Sequence, residues 1–255
     1  MNSEIPEFWH LGSYKYPFYQ SQLKILAKSH IKKSFLILDA GCGPDGGYLT
    51  DIPLDAQGVG LDVSRRNIEN SIKITKENGK NKPSFIIGDI EKMPFPNDAF
   101  DVIICQDVLE HVKGKENAIS EIIFSLKRGG KMLISTTNGL NPEMFVDDIL
   151  PKNVSNGIIS ALGIDCSSFY KRQGRLNPWN TRKILFRHGI RVKKILMTGF
   201  PTIGRPWMYA YSQIKPPIIF HLWIFFNKLT DIRFFENFKE NIIVVAEKSR
   251  TPIEK

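Results

Sequence analysis

Three aspartates, Asp39, Asp62 and Asp89, each close a short apolar run: FLILD, VGLD and FIIGD. Carboxylates placed in this way are acceptors and negative charges, suited to a ligand that carries hydroxyls, an amino group or a cation. Between the first and second lies Gly41-Cys42-Gly43-Pro44-Asp45-Gly46, which fits the pattern G-x-G-x-x-G. At a strand-to-helix turn that pattern takes a dinucleotide's pyrophosphate on backbone N–H groups, with an acid about 20 residues further on for the ribose. Asp62 stands 16 residues beyond Gly46, so the glycines alone leave a dinucleotide open. Asp39 argues the other way. A carboxylate two residues before the first glycine repels a pyrophosphate and attracts a cation. The loop is expected to hold a positively charged ligand.

Positioning these acids requires strands of one direction. Residues 35–39, 56–62, 83–89, 100–106 and 131–136 read as strands, and 191–199 and 241–248 add two more. Helices are expected over 16–30, starting beyond Pro17, over 65–79 with Ser64 as cap and Gly79 as stop, near 115–127, and from Thr181 to His188. Gly129-Gly130 is read as the turn into the fifth strand. Alternation of strand and helix predicts an α/β fold with a doubly wound, mostly parallel, Rossmann-like sheet carrying N-terminal and C-terminal cap insertions. Its ligand crevice lies beyond the carboxyl ends of the strands, where the three acids fall. The organisation follows: an N-terminal helical cap over 1–33, a ligand-binding core over 34–140, a substrate cap with a helix and a strand of the sheet over 141–240, and a last strand and tail over 241–255.

The net charge of +9 is unevenly spread. Residues 151–255 hold 18 Lys and Arg against 6 Asp and Glu, a net of +12, and residues 1–150 are net −3. A basic C-terminal part points to an anionic acceptor or surface, or is a solvated lysine-rich face. The three cysteines, Cys42, Cys105 and Cys166, form no C-x-x-C pair and fit a reducing cytoplasm. Cys42 and Cys105 are read as packing residues. No basic stretch followed by an apolar core opens the chain, and no apolar run is long enough to span a bilayer. The five histidines lack ligand spacing, so no metal is expected, and no nucleic-acid-binding motif is recognised.

S-adenosylmethionine joins a sulfonium and an ammonium group to ribose and adenine and has no phosphate. Asp39 therefore suits its cationic end, Asp62 its ribose hydroxyls and Asp89 its adenine amino group. Here the chain resembles a known family. ILDAGCG, GVGLDVS, GDIEKMPFPNDAFDVI, QDVLEHV and LKRGGKMLIST occur in the order seen in class I S-adenosylmethionine-dependent methyltransferases, in the type 11-like branch that includes quinone-biosynthesis methyltransferases. The likeness covers roughly residues 34–138. It implies that Asp39, Ala40, Gly41 and Gly43 cradle the methionine part, that Asp62 holds the ribose with Val63 against the adenine, and that Asp89 reads the amino group with the Ile90 backbone on the ring. Gln106 would approach the methionine portion. Pro44-Asp45 lengthens the loop by one residue, and Arg128 stands where proline usually precedes the double glycine. A methyltransferase acting on a small molecule is the reading that follows. An NAD-dependent oxidoreductase and a non-catalytic cofactor-binding module are its rivals.

Methyl transfer from a sulfonium needs an in-line acceptor more than a protein nucleophile. A hydroxyl acceptor gains from a base, and His111 in VLEHV follows the fourth strand at the crevice. Glu110 and Asp107 are neighbouring alternatives, and a loop-fixing role for His111 stays open. Trp9, His10, Tyr14, Tyr16 and Tyr19 are candidates for an N-terminal lid or for plain packing. Residues 215–228, KPPIIFHLWIFFNK, form an apolar segment flanked by cations. Its fates are burial, a dimer interface, or peripheral membrane contact that admits a lipid-like acceptor.

Overall fold

The computed structural model describes residues 17–53, 55–78, 82–140, 176–198 and 241–250. Along the chain these form α1 (Pro17–His30), β1 (Leu36–Ala40), a 3-10 turn (Gly47–Asp51), β2 (Gln57–Asp62), α2 (Arg65–Asn78), β3 (Ser84–Ile87) and β4 (Phe100–Gln106). Then come α3 (Lys115–Ser125), β5 (Leu126–Thr137), α4 (Pro178–Arg187), β6 (Ile190–Thr198) and β7 (Asn241–Lys248). Of the lid candidates, Trp9, His10, Tyr14 and Tyr16 lie outside the described residues, as do Cys166 and the segment 215–228, and Tyr19 falls in α1.

The seven strands make one sheet in the order β3-β2-β1-β4-β5-β7-β6. The first five pair in parallel, and β7 runs antiparallel to both β5 and β6. The chain winds outward from β1 to β3, then crosses back to β4 on the other side of β1. This reversal opens the crevice above the carboxyl ends of β1 and β4, where an open α/β sheet binds its ligand.

Alternation along the strands divides the core in two. Leu38, Phe100, Ile103, Met132, Ile134 and Val244 face the layer that contains Ile119 and Ile122 of α3 and Leu185 of α4. Ile37, Val102, Ile104, Leu133 and Ile243 face Leu23 and Ala27 of α1. Helix α2 turns Ile68, Ser71 and Thr75 inward at helical spacing. Ser64 caps it as expected, its Oγ accepting from the Asn67 N–H at 3.3 Å.

Most ends agree with the sequence reading to within a residue or two, the third strand being shorter at Ser84–Ile87, so that Asp89 lies two residues beyond it, and two differences have a local cause. Helix α4 begins at Pro178 rather than Thr181, because Asn177 builds a reciprocal capping box with Asn180 and Pro178 occupies the first turn. Strand β5 begins at Leu126, and the pairing with β4 jumps from Phe100–Leu126 to Val102–Lys131. The Gly129-Gly130 pair, with Gly129 at φ 76°, therefore marks an irregularity inside the strand rather than a separate turn before it. The end of α3 is closed from a distance. Lys248 Nζ donates to the carbonyls of Ile123 at 2.9 Å and Leu126 at 2.6 Å and to Asp98 Oδ1 at 2.7 Å. A cation thus meets the negative end of the helix and ties β7 to it.

Candidate active site

The glycine loop is built by hydrogen bonds that leave one side bare. At the end of β1 the chain turns sharply, and the Gly41 and Cys42 N–H groups both donate to the Leu61 carbonyl, at 2.7 and 3.0 Å. Gly41 has φ 86°, and a Cβ there would lie 2.2 Å from Val108 Cγ2. Buried Ser71 of α2 locks the far side, donating to the Gly43 carbonyl at 2.7 Å and accepting from the Gly46 N–H at 2.9 Å. Gly43 itself faces space. A Cβ there would meet only Asp45 Oδ1, at 3.9 Å. Asp45 is a turn former, accepting from the Gly47 N–H at 3.1 Å.

Asp62 closes β2 and holds the loop against α2. Its Oδ2 accepts from the Gly43 N–H at 3.0 Å, and its Oδ1 accepts from the Ser64 N–H at 2.8 Å and Asn67 Nδ2 at 3.1 Å. Three of about four acceptor sites on the carboxylate are thereby engaged, and the remaining one, on Oδ2, is left for a ligand hydroxyl. Asp62→Ala removes that acceptor and the anchor of Gly43 together. Cofactor affinity should fall about tenfold or more by calorimetry, since a hydrogen bond to a charged group contributes roughly 1.5–3 kcal/mol. Unchanged affinity in a folded variant would remove Asp62 from the site.

Asp39, 2% exposed, closes β1 from beneath. Its Oδ2 accepts from the Tyr48 N–H at 2.8 Å, and burial pushes the carboxyl up to about 7, with Asp45 and Asp62 adding to the rise. Tyr48 is a residue that the sequence reading missed. Burial pushes its phenol up, so it stays protonated and donates to Gln106 Oε1 at 2.5 Å. That bond orients the Gln106 amide, whose Nε2 reaches Asp107 Oδ2 at 3.3 Å. Asp39 and Gln106 are thus joined through one tyrosine across β1 and β4. Burial likewise raises the thiols of Cys42 and Cys105, which suits the packing role expected of both.

The outer rim has a different character. Strand β3 ends at Ile87, and Asp89 opens a tight turn in which its Oδ1 accepts from the Glu91 N–H at 2.9 Å. Ile90 is buried in the core. Val63, directly after Asp62, is 73% exposed. An apolar group held bare beside two carboxylates suits the face of a flat heterocycle.

After β4 the chain forms the turn that carries His111. The Asp107 N–H donates to the Ser135 carbonyl at 3.0 Å, and the His111 N–H donates to the Val108 carbonyl at 2.9 Å. Glu110 is buried and accepts from Thr136 Oγ1 at 3.0 Å and Thr137 Oγ1 at 3.1 Å. This is the work of a positioning residue. It fixes the turn to the end of β5 while His111 stays exposed.

Further along the same edge lies a polar row with no counterpart in the sequence reading. Thr137, Asn241 and Thr198 stand opposite one another on β5, β7 and β6. Alternation places Asn241 with Ile243 and Thr198 with Leu196, on the face covered by α1, which is also the face of Asp39 and Gln106. Among the described residues, Thr198 Oγ1, Asn241 Nδ2 and, elsewhere in the core, Ser125 Oγ are buried without a hydrogen-bond partner. Native structures pair most such groups, with protein or with water. Among the described residues no His, Cys, Asp and Glu cluster is arranged to hold a metal.

A family model described as a methyltransferase domain matches residues 31–179. A ubiquinone biosynthesis O-methyltransferase of Rickettsia canadensis is 34% identical over 162 residues, which are 62% of this chain and 64% of that protein. The match therefore spans less than two thirds of that relative's length. An uncharacterized protein of Methanocaldococcus jannaschii, MJ0638, is 33% identical over 84% of this chain and 78% of its own. In structure, phosphoethanolamine N-methyltransferase 2 of Haemonchus contortus, solved with S-adenosyl-L-methionine, is similar with a TM-score of 0.60 at 16% identity, covering 90% of this chain and 52% of that one. The matched domain takes in more than half of the chain, including the glycine loop, all three rim acids and β1 to β5, and the chain belongs to the class I S-adenosylmethionine-dependent methyltransferases.

Proposed function

We propose that this chain transfers a methyl group from S-adenosylmethionine to a hydroxyl of a small-molecule acceptor by direct displacement. The observation that carries the reading is that Asp62 holds the Gly43 N–H while Gly43 faces open space at the carboxyl end of β1, with Asp39 and Asp89 at or just beyond the carboxyl ends of β1 and β3. The residues present fit the cofactor. Gly43 leaves room where a Cβ would intrude, Asp62 keeps an acceptor site, Val63 offers an apolar face, and the buried Asp39 carboxyl favours a cationic neighbour. Ala40, Gly41, Ile90 and Gln106 complete the cofactor contacts. When bound, the cofactor supplies a methyl group on a positively charged sulfur. The rest is positioning, which can lower the barrier by about 7–11 kcal/mol.

The acceptor lies along Gln106, Thr137, Asn241 and Thr198. The Asn241 amide and the Thr198 hydroxyl are both donors, so they suit an acceptor bearing a carbonyl or carboxylate oxygen as well as the hydroxyl to be methylated. The kinship with an O-methyltransferase of ubiquinone biosynthesis supports an oxygen as the methylated atom. His111 takes the hydroxyl proton, and Glu110, bound to Thr136 and Thr137, holds its turn in place. The free buried thiols Cys42 and Cys105 suit a reducing cytoplasm.

The deciding experiment is a binding comparison followed by an acceptor screen. S-adenosylmethionine at a hundredfold excess over its Kd should stabilise the fold by about 2.7 kcal/mol, while NAD leaves it unchanged. Stabilisation by NAD instead would favour an oxidoreductase, and tight cofactor binding without methyl transfer in a broad screen with labelled donor would favour a binding module. With an acceptor in hand, His111→Ala should lower turnover about a hundredfold and leave cofactor affinity unchanged. Equal losses of stability and affinity would make His111 a structural residue.

A further inference from the structure

We infer that the outer face of α4 docks the protein onto an anionic membrane surface. The helix packs inward through Pro178, Thr181 and Leu185. Its outer face carries Trp179, 60% exposed, and Phe186, 76% exposed. Seven residues apart, the two aromatics project within about 20° of each other, one above the other. Arg182 lies to one side of this ridge, and Lys183 and Arg187 lie to the other, each within about 100° of it. All three cations are exposed. The whole stretch 176–198, through α4 and the edge strand β6, contains six Lys and Arg residues and no Asp or Glu.

The neighbouring charges do not cancel this field. From α3, Glu116 reaches Arg187 at 4.0 Å between two exposed groups, a pair that contributes little. From β7, Glu247 pairs with Lys193 at 3.3 Å. Among the described residues Arg182 and Lys183 make no ion pair. Cations along an edge strand also discourage strand pairing between molecules, which accounts for Arg191 and Lys194 but not for two large aromatics held bare on a helix.

An aromatic ridge flanked by cations is the pattern of a helix lying in a membrane interface, with the rings at headgroup depth and the basic groups on anionic phosphates. A single nucleic-acid strand also takes cations and aromatic rings, but it needs a groove that tracks its backbone, and a convex helix flank offers a plane instead. The docking is independent of the methyltransferase reading, because α4 contributes nothing to the cofactor rim.

Co-sedimentation of the full chain with vesicles tests the inference. Vesicles of phosphatidylcholine with 30% phosphatidylglycerol, a composition of roughly the right charge, should pellet the protein in a salt-sensitive way, and pure phosphatidylcholine should not. Arg182→Glu with Lys183→Glu, and separately Trp179→Ala with Phe186→Ala, should each weaken binding at least tenfold. Melting temperature and S-adenosylmethionine affinity should stay at wild-type values in both variants. Absence of binding to anionic vesicles would overturn the inference, as would unchanged binding by the two variants. Tighter binding to a single-stranded RNA oligomer than to vesicles would assign the face to nucleic acid.

Discussion

Gly47→Ala should destabilise the protein by about 3–5 kcal/mol and abolish measurable cofactor binding. A Cβ at this position would lie 2.1 Å from Asp39 Oδ2 and 3.0 Å from the Cys42 carbonyl, at a φ of 53°. The left-handed backbone alone costs an alanine roughly 1–2 kcal/mol. The larger part comes from Asp39, which cannot withdraw without giving up the Tyr48 N–H it accepts at 2.8 Å. Losing a buried hydrogen bond to a carboxyl adds roughly 1.5–3 kcal/mol. Gly43→Ala is the control. It has a similar φ of 66° but open space around it, so its stability cost should stay near about 1 kcal/mol. Urea unfolding of the two variants separates the causes. Equal losses would mean that backbone strain decides both and that the Asp39 contact carries no weight.

The parts of this architecture that could be read in advance are those in which one segment's pattern suffices. The runs Phe100–Gln106 and Asn241–Lys248 matched their strands to the residue, because an apolar core bounded by polar residues defines both ends. The placing of Asp39, Asp62 and Asp89 at or near the carboxyl ends of β1, β2 and β3 was legible for the same reason, since each follows an apolar run. What was not legible depends on partners distant in the chain. Tyr48 reads as an ordinary aromatic in a loop, and only the approach of β4 gives its hydroxyl to Gln106. The row Thr137, Asn241 and Thr198 exists only because β7 runs antiparallel between β5 and β6. Strand direction of that kind follows from the route of the connecting chain and leaves no periodicity to detect. Glu110 illustrates the consequence for chemistry. Beside His111 in sequence it is an alternative candidate for the base, but its carboxylate accepts from the threonines that end β5 and ties the histidine's turn to that strand.

Asp39 joins the stability of the loop to its affinity for a cation, and that link gives the second large expectation. In the fold its carboxyl titrates at about 7, against an ordinary 3.8, because burial disfavours the charged form more than the Tyr48 N–H favours it. The folded protein therefore holds this proton more tightly than the unfolded chain. The stabilisation it confers is complete below pH 4, falls as the pH rises from about 4 to about 7, and is gone above that. That rise corresponds to about 4 kcal/mol. Asp39→Asn keeps a carbonyl oxygen for the Tyr48 N–H and removes the titration. The difference in unfolding free energy between wild type and variant should therefore change by about 4 kcal/mol between pH 4 and pH 8, with the variant gaining relative to wild type as the pH rises. Without cofactor, urea unfolding at a series of pH values measures this directly. Cofactor binding should move in the opposite sense. A cationic ligand favours the ionised carboxylate, so wild-type affinity should rise through pH 7 and the affinity of Asp39→Asn should stay flat. A pH-independent difference in stability would show that Asp39 is ionised throughout. A flat wild-type affinity would show that the cofactor's charge rests on other groups of the rim.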